Sequence, residues 1–185
     1  MNSLKKYIFL VFTLFLWGYA LYKAGYLIHY DKNITVKIIK QRGKIKDLDT
    51  PIKQMYAKKI EIDTLKFPVK RVLWHHIYGD LGVKNNFFMD IKTDIDVKKD
   101  TTIMFAIGSD DGFRLSIDSK EVCSHIKNRA FAYTKCSKKV KKGKHKLHIF
   151  YYQGYGPMGL IAYYAINHDR HLVGEDSKYL SFKKP

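Results

Sequence analysis

The second half of the sequence alternates between apolar and polar residues in short runs, and this pattern constrains the fold more than any other feature. Such runs fall at residues 101–107, 147–152 and 160–166, and turn residues such as Gly, Asp and Lys bound them. Alternation with a period of two is typical of strands with one buried face, and short strands spaced about 8 to 12 residues apart are typical of antiparallel sandwiches and barrels. We therefore expect a mainly β protein with an antiparallel β-sandwich.

The chain is strongly basic, with 34 lysine and arginine residues against 17 acidic residues and a formal net charge of +17. This charge attracts anionic partners such as phospholipid headgroups, anionic glycans or nucleic acid at long range, but it identifies none of them. The lysines are spread along the sequence, which is also typical of ordinary solvated faces, and their densest cluster lies at residues 138–146. We expect no nucleic-acid partner.

A nearly uninterrupted apolar stretch at residues 7–28 follows the paired lysines Lys5 and Lys6. At about 1.5 Å per residue, a helix of this length crosses the roughly 30 Å of hydrocarbon in a bilayer. We therefore predict that residues 1–30 form one transmembrane helix in the inner (cytoplasmic) membrane, with the C-terminal domain in the periplasm or outside the cell. The alternative is a cleavable signal peptide, because residues 18–20 have the small-residue spacing of a cleavage site.

The part of the chain after this stretch divides in two. Val36, Ile38 and Ile39 are compatible with a strand, whereas residues 41–53 are charged and have no clear periodicity. We predict a stalk or linker at residues 31–59 and place the sandwich domain at residues 60–185. The pair His75 and His76 lies at the start of the more apolar segment. Adjacent residues on a strand point to opposite faces, so we do not expect these two histidines to share a metal ion.

The sequence contains two cysteines, Cys123 and Cys136. Both lie in the part predicted to be exported, where an oxidising compartment allows disulfides to persist, so we predict a bridge between them. The alternatives are two free thiols or metal ligation, and the latter lacks the paired C-x-x-C spacing of a zinc site.

Three segments of the chain resemble one known family. Residues 103–120, IMFAIGSDDGFRLSIDSK, look like the signature of the PA-14 (protective-antigen) domain, in which a strand ends in Ser-Asp-Asp-Gly and the next ends in Ile-Asp. Residues 140–164, VKKGKHKLHIFYYQGYGPMGLIAYY, are similar to its Gly-Lys-His hairpin, Tyr-Tyr strand, glycine-rich loop and last apolar strand. Residues 94–107 also match the entry into the signature. The resemblance spans about residues 60–166 and implies a PA14-like β-sandwich.

The resemblance also implies a ligand site. Many members of the family are thought to bind carbohydrate, and in its yeast adhesin branch two aspartates form a cis peptide and hold a calcium ion that touches the sugar. That pair falls on Asp110 and Asp111, and the branch's asparagine falls on Gln153, a departure that keeps an amide oxygen. Ligands from the glycine-rich loop fall on Tyr155, Gly156 and Pro157. The alternative is that the two aspartates are ordinary residues of an acidic turn.

The sequence does not predict an enzyme, since it has no Ser/His/Asp order, no H-E-x-x-H and no phosphate loop. Two hypotheses about function remain. The first is a non-catalytic, membrane-anchored structural or protein-interaction subunit of a cell-envelope assembly. The second is a carbohydrate-binding or wall-associated module that uses a calcium-bound Asp-Asp loop.

Overall fold

The computed structural model describes residues 2–28 and 31–185, and within the helix it describes the side chains of residues 7–22. Contacts divide the chain into two compact units, Met1–Asp31 and Lys32–Pro185. The first unit contains the helix α1, Asn2–Ile28, and the second contains fourteen strands.

The predicted transmembrane helix is not supported. In the described part of the chain, no helix combines the length and the apolar content that crossing a membrane requires. The predicted location in the inner membrane, with the domain in the periplasm or outside the cell, depended on that span and is not supported either.

The second unit is an antiparallel β-sandwich, as the alternation predicts. Its strands are β1 (Ile34–Gln41), β2 (Gln54–Ile62), β3 (Lys66–Lys70), β4 (Trp74–His75), β5 (Gly79–Asp80), β6 (Phe87–Val97), β7 (Thr101–Asp110), β8 (Phe113–Ile117), β9 (Lys120–His125), β10 (Ala132–Val140), β11 (Gly143–Gln153), β12 (Met158–Ile166), β13 (Asp169–Leu172) and β14 (Leu180–Lys183).

The strands form two main sheets. The seven-stranded sheet has the order β2-β1-β6-β11-β8-β9, with β14 also paired to β6. The five-stranded sheet has the order β10-β7-β12-β13, with β3 also paired to β12, and β4 and β5 form a small ribbon. Alternate residues of the long strands enter one apolar core; on β7, for example, Ile103, Phe105 and Ile107 are buried. Each such side chain contributes about 1.5–3 kcal/mol by leaving water.

The predicted stalk, residues 31–59, is instead part of the sandwich. β1 lies between β2 and β6, and its Ile34, Val36 and Ile38 are fully buried. β2 is an edge strand whose first six residues are exposed, so it lacks the alternation by which strands are recognised. The sandwich therefore begins about 25 residues before the predicted boundary at residue 60. The backbone groups of β1, in mid-sheet, need a hydrogen-bonded strand on each side, so β2 belongs to the same domain.

The segment between β1 and β2, residues 42–53, folds over the outer face of the seven-stranded sheet. Its Ile45 and Leu48 are buried, and they pack in a second apolar cluster with Ile39, Phe88 and Tyr152. The backbone N–H of Leu48 donates to the carbonyl of Ile126 at 3.0 Å. This segment therefore covers the sheet close to the end at which β11 finishes.

The predicted disulfide between Cys123 and Cys136 is present. Cys123 lies on β9, at an edge of the seven-stranded sheet, and Cys136 lies on β10, at an edge of the five-stranded sheet. The bridge therefore joins the two sheets at one side of the sandwich. The alternative of two free thiols is wrong, because neither cysteine is free.

Candidate ligand site at the acidic loop

Two loops cross between the sheets at the same end of the sandwich. The acidic loop, residues 109–112, leads from β7 in the five-stranded sheet to β8 in the seven-stranded sheet, and the glycine-rich loop, residues 153–159, leads from β11 to β12. β7 pairs with β12, which sets Asp110 opposite Gly159, and β8 pairs with β11. The two loops meet because the strands before and after the acidic loop, β7 and β8, pair with the strands after and before the glycine-rich loop, β12 and β11.

The carboxylate of Asp111 links the two loops. Its Oδ2 accepts a hydrogen bond from the backbone N–H of Gly154 at 2.8 Å, and Ser109 donates to its backbone carbonyl at 2.7 Å. Asp110 and Asp111 are only 8% and 6% exposed, and the peptide bond between them is cis, as the resemblance implies. Their low exposure makes the paired aspartates a buried part of the loop and not a solvated surface turn.

Gln153 organises the glycine-rich loop from inside. Its side chain is fully buried, and its Nε2 donates to the carbonyl oxygens of Tyr155 and Pro157 at 3.3 and 2.9 Å. The hydroxyl of Tyr151 lies 2.7 Å from Gln153 Oε1 and also contacts the carbonyl of Asp110, so it can donate its single proton to either acceptor. Burial raises the pKa of Tyr151, which keeps that proton in place at neutral pH.

The electrostatics of the acidic loop favour a cation. Burial, and then the charge of Asp111, raise the pKa of Asp110 to about 6, although the backbone N–H of Phe131 and the charge of Arg129 act against this. Burial also raises the pKa of Asp111, against hydrogen bonds from the backbone N–H groups of Gly154 and Arg129. The neighbouring donors thus do not fully offset the cost of burying two carboxylates, and a divalent cation offsets both burial and repulsion.

The donor atoms at this end of the sandwich suit calcium. The carboxylates of Asp110 and Asp111 and the carbonyl oxygens of Tyr155 and Pro157 are hard oxygen donors, the type that calcium prefers. The amide oxygen of Gln153, in contrast, is engaged by the tyrosine hydroxyl, and its nitrogen faces the two carbonyls. Gln153 is thus a brace of the loop in this structure.

Tyr155 and Gly156 form the outer part of the glycine-rich loop. Tyr155 is 58% exposed, so its side chain is open to solvent. Gly156 has a φ of 95°, in the left-handed region that other residues rarely adopt. The loop therefore depends on glycine at this position to turn back toward β12.

Sequence reasoning missed Arg129, which lies in the connection between β9 and β10. Its guanidinium donates to Ser109 Oγ at 2.7 Å and to Thr134 Oγ1 at 2.9 Å, and so it holds the start of the acidic loop against β10. It missed residues 42–53 as well, and Asn86 connects this segment to the glycine-rich loop. The side-chain oxygen of Asn86 accepts from the backbone N–H of Ile45 at 3.1 Å, and its backbone N–H donates to the carbonyl of Gly154 at 2.8 Å. Neither segment has a periodicity that indicates this role.

A second cluster of side chains with metal-binding chemistry lies elsewhere, at Asp63, His75 and His76. Their candidate ligand atoms are all within 4.8 Å of one another, so the prediction that the two histidines point apart is wrong. The tautomer argues against a metal there, because Nδ1 of His75 accepts a hydrogen bond from the N–H of Ile77 at 3.3 Å. The ring proton is therefore on Nε2, which lies 3.2 Å from the carbonyl of Thr64 and donates to it. The cluster is a hydrogen-bonded corner of the fold.

Solved structures share this architecture. The PA14 sugar-binding domain from an RTX adhesin superposes with a TM-score of 0.64 at 11% identity, covering 76% of this chain and 94% of that one. The PA14 domain of an antifreeze protein gives 0.58 at 10%, covering 83% and 91%. The epithelial adhesin 6 A domain from Candida glabrata, in complex with Galb1-3GlcNAc, gives 0.57 at 12%, covering 84% and 89%. At such low identities these similarities establish the fold alone.

A comparison with curated protein sequences found no match. The family model of the PA14 domain, in contrast, matches residues 72–176, from just before β4 to just after β13. The match includes both the acidic loop and the glycine-rich loop, and it covers more than half of the sequence. The chain therefore belongs to the PA14 domain family.

Proposed function

We propose that this protein is a non-catalytic carbohydrate-binding module, and that its site lies where the acidic loop meets the glycine-rich loop. The observation that carries the proposal is the contact between these loops: Asp111 accepts from Gly154, and Gln153 gathers the carbonyls of Tyr155 and Pro157. The two loops thus bring two carboxylates, two carbonyls and an exposed tyrosine to the same end of the sandwich. Such a set of convergent polar groups beside a ring is what recognition of a sugar requires.

Calcium is part of this proposal. The carboxylates of Asp110 and Asp111 are the primary ligands, and the carbonyl oxygens of Tyr155 and Pro157 are the further candidates. When bound, the ion supplies a positive centre with open coordination positions, to which neighbouring hydroxyls of a sugar can bind. Gln153 keeps the two carbonyls on the same side of the loop, and Arg129 anchors the strand end from which the aspartates project.

Two of the solved relatives support the carbohydrate hypothesis over the envelope-subunit hypothesis. One is a sugar-binding domain of an adhesin and the other is an adhesin domain in complex with a disaccharide. The hypothesis of a membrane-anchored subunit of a cell-envelope assembly, in contrast, depended on a membrane span that the described residues do not provide. The glycan is accordingly the partner that we propose.

Calcium is expected to raise the melting temperature of the full chain, since only the folded state brings the two loops together. At ten times the dissociation constant, the gain is about 1.4 kcal/mol, which corresponds to a shift of roughly 3–6 °C for a domain of this size. The variant Asp110→Asn, Asp111→Asn is expected to melt at the same temperature with calcium and with chelator. Thermal denaturation followed by circular dichroism measures both shifts.

The matched control is Asp96→Asn, Asp100→Asn, which removes two surface carboxylates that pair with Lys98 and Lys141. This variant is expected to keep the full calcium shift. On a panel of immobilised glycans, the wild type is expected to bind at least one glycan in calcium and to lose it in chelator. A wild type with no calcium shift, and no glycan bound in calcium, would refute the proposal.

Acidification is expected to weaken calcium binding, because protons compete for the same carboxylates. The pKa of Asp110 is raised to about 6 in the folded protein, so without calcium this group favours folding below about pH 4 and that contribution is lost as the pH rises through 6. Calcium must displace the proton, so its affinity rises with pH and levels off above 6. Calorimetric titration should give roughly tenfold weaker binding at pH 5 than at pH 7. Equal affinities at the two pH values would contradict the assignment of Asp110 as a ligand.

A further inference from the structure

The outer face of the five-stranded sheet carries a groove that the acidic loop does not use. On β7, Met104 and Ala106 face outward and form the floor, and Gly108 follows them beneath the rings of Phe131 and Tyr133. Tyr133 on β10 lies opposite Gly108, Lys135 on β10 lies opposite Ala106, and Tyr163 on β12 lies opposite Ala106 from the other side. Side chains of both flanking strands therefore border an open groove of about 400 Å³, which we call the tyrosine groove.

Tyr133 is the exposed ring of the tyrosine groove, and Tyr163 beside it is half-buried. Tyr133 is 46% exposed, and its ring centre lies 6.3 Å from that of Tyr163 and 5.4 Å from that of Phe131. A Cβ atom on Gly108 would lie 2.6 Å from the ring of Phe131 and 2.7 Å from that of Tyr133, so these rings need glycine beneath them. The glycine thus lets the rings lie low across the sheet.

The charges of the tyrosine groove all have one sign. Its charged lining residues in the described structure are Lys135 and Arg170, and no Asp or Glu lies among them. The guanidinium of Arg170 stacks on Tyr163, with Cζ 3.7 Å from the ring centre, and this contact fixes its plane at the groove wall. A guanidinium held in this way presents paired N–H donors that fit a carboxylate.

We propose that the tyrosine groove is a second glycan site, independent of calcium, that binds a carboxylated polysaccharide. The C–H faces of sugar rings pack on Tyr133 and Tyr163, and carboxylates along the chain pair with Lys135 and Arg170. A single-stranded nucleic acid also stacks on aromatic rings, but it carries a phosphate on every nucleotide and needs a cationic track along its whole length. Two cations beside several rings fit the sparser charge of an acidic polysaccharide better.

The tyrosine groove adjoins the acidic loop through Phe131. The ring of this residue packs against Tyr133, and its backbone N–H donates to the carboxylate of Asp110. The two sites therefore lie on neighbouring surfaces of the sandwich, but they share no side chain that binds in both. Each can be tested with the other disabled.

The test is affinity electrophoresis of the full chain in gels that contain polygalacturonate, with chelator present throughout. Wild-type protein is expected to be retarded, and much less so by the methyl-esterified polymer, which has the same backbone without the charge. Tyr133→Ala, Tyr163→Ala is expected to weaken binding about tenfold, because aromatic anchors carry much of the energy at such sites. Lys135→Gln, Arg170→Gln is expected to reduce retardation to that seen with the methyl ester.

Two control variants distinguish binding in the tyrosine groove from general charge attraction and from binding at the acidic loop. Lys58→Gln, Lys59→Gln removes the same charge from the exposed edge strand β2 and is expected to bind like the wild type. Asp110→Asn, Asp111→Asn is also expected to bind normally in chelator, so a failure of the calcium proposal leaves this one intact. Equal losses of retardation in the β2 variant and in Lys135→Gln, Arg170→Gln would mean general charge attraction. If oligothymidylate competes with polygalacturonate more strongly than oligogalacturonate does, the groove is a nucleic-acid surface. Either outcome overturns the proposal.

Discussion

Replacing both cysteines by serine is expected to lower the melting temperature by roughly 6–12 °C. The bridge between Cys123 and Cys136 closes a loop with a sequence separation of 13 residues, and in the chain-entropy model such a loop contributes about 3 kcal/mol by restricting the unfolded state. In the folded state the bridge joins edge strands of two different sheets, β9 and β10.

The same bridge encloses part of the candidate site, because Arg129 and Phe131 lie between the two cysteines. Their backbone N–H groups donate to the carboxylates of Asp111 and Asp110. Reduction should therefore weaken calcium binding as well as stability, and calorimetry with and without a phosphine reductant measures this. Reduced wild type and the double variant should behave alike. A wild type that melts at the same temperature before and after complete reduction would show that the bridge does not stabilise the domain.

The sequence predicted the strands well wherever one face of a strand is buried and the other is solvated. β7, β11 and β12 alternate in this way, and all three lie within the predicted runs or extend them. β1 was recognised only as a possible strand within a stalk, and β2 was missed, for different physical reasons. β1 does not alternate regularly between apolar and polar residues, because Ile38 and Ile39 are both buried, one in each of the two apolar clusters. β2 is exposed along most of its length and therefore shows no alternation.

The candidate site was predicted only in part. The family resemblance located Asp110, Asp111 and Gln153, because they lie in segments of recognisable order and spacing. Arg129 and the covering segment at residues 42–53 reach the site through tertiary contacts that no local pattern encodes. The strand rule also failed for the two histidines, since β4 ends at His75 and His76 lies in the turn that follows.

The tyrosine groove could not be predicted from the sequence, for a related reason. Its members come from four strands, β7, β10, β12 and β13, and only the register of those strands sets Tyr133 opposite Gly108 and Tyr163 opposite Ala106. Alternation assigns a residue to one face of a strand, but it does not align one strand with the next. Pairing partners and register are therefore what the structure adds to the sequence.

Gln153→Leu is expected to destabilise the domain by about 2–3 kcal/mol and to remove its response to calcium. Leucine has nearly the same size, so it leaves the space filled, but it removes the donor for the carbonyls of Tyr155 and Pro157 and an acceptor for Tyr151. Burying polar groups without partners costs about 1–3 kcal/mol each, and the carbonyls on the exposed side of the loop can recover water. The loop then loses the brace that keeps its carbonyls together.

Tyr151→Phe is the matched control for this variant. It removes the hydroxyl that contacts Gln153 and Asp110, yet it leaves the hydrogen bonds from Gln153 to the glycine-rich loop in place. We therefore expect a loss of about 1 kcal/mol in stability with the calcium shift retained. Thermal melts of both variants in calcium and in chelator separate the two effects, because general damage to the core would lower all melting temperatures without changing the difference. If Gln153→Leu keeps the wild-type calcium shift, then the amide does not organise the site, and the aspartates alone must hold the ion.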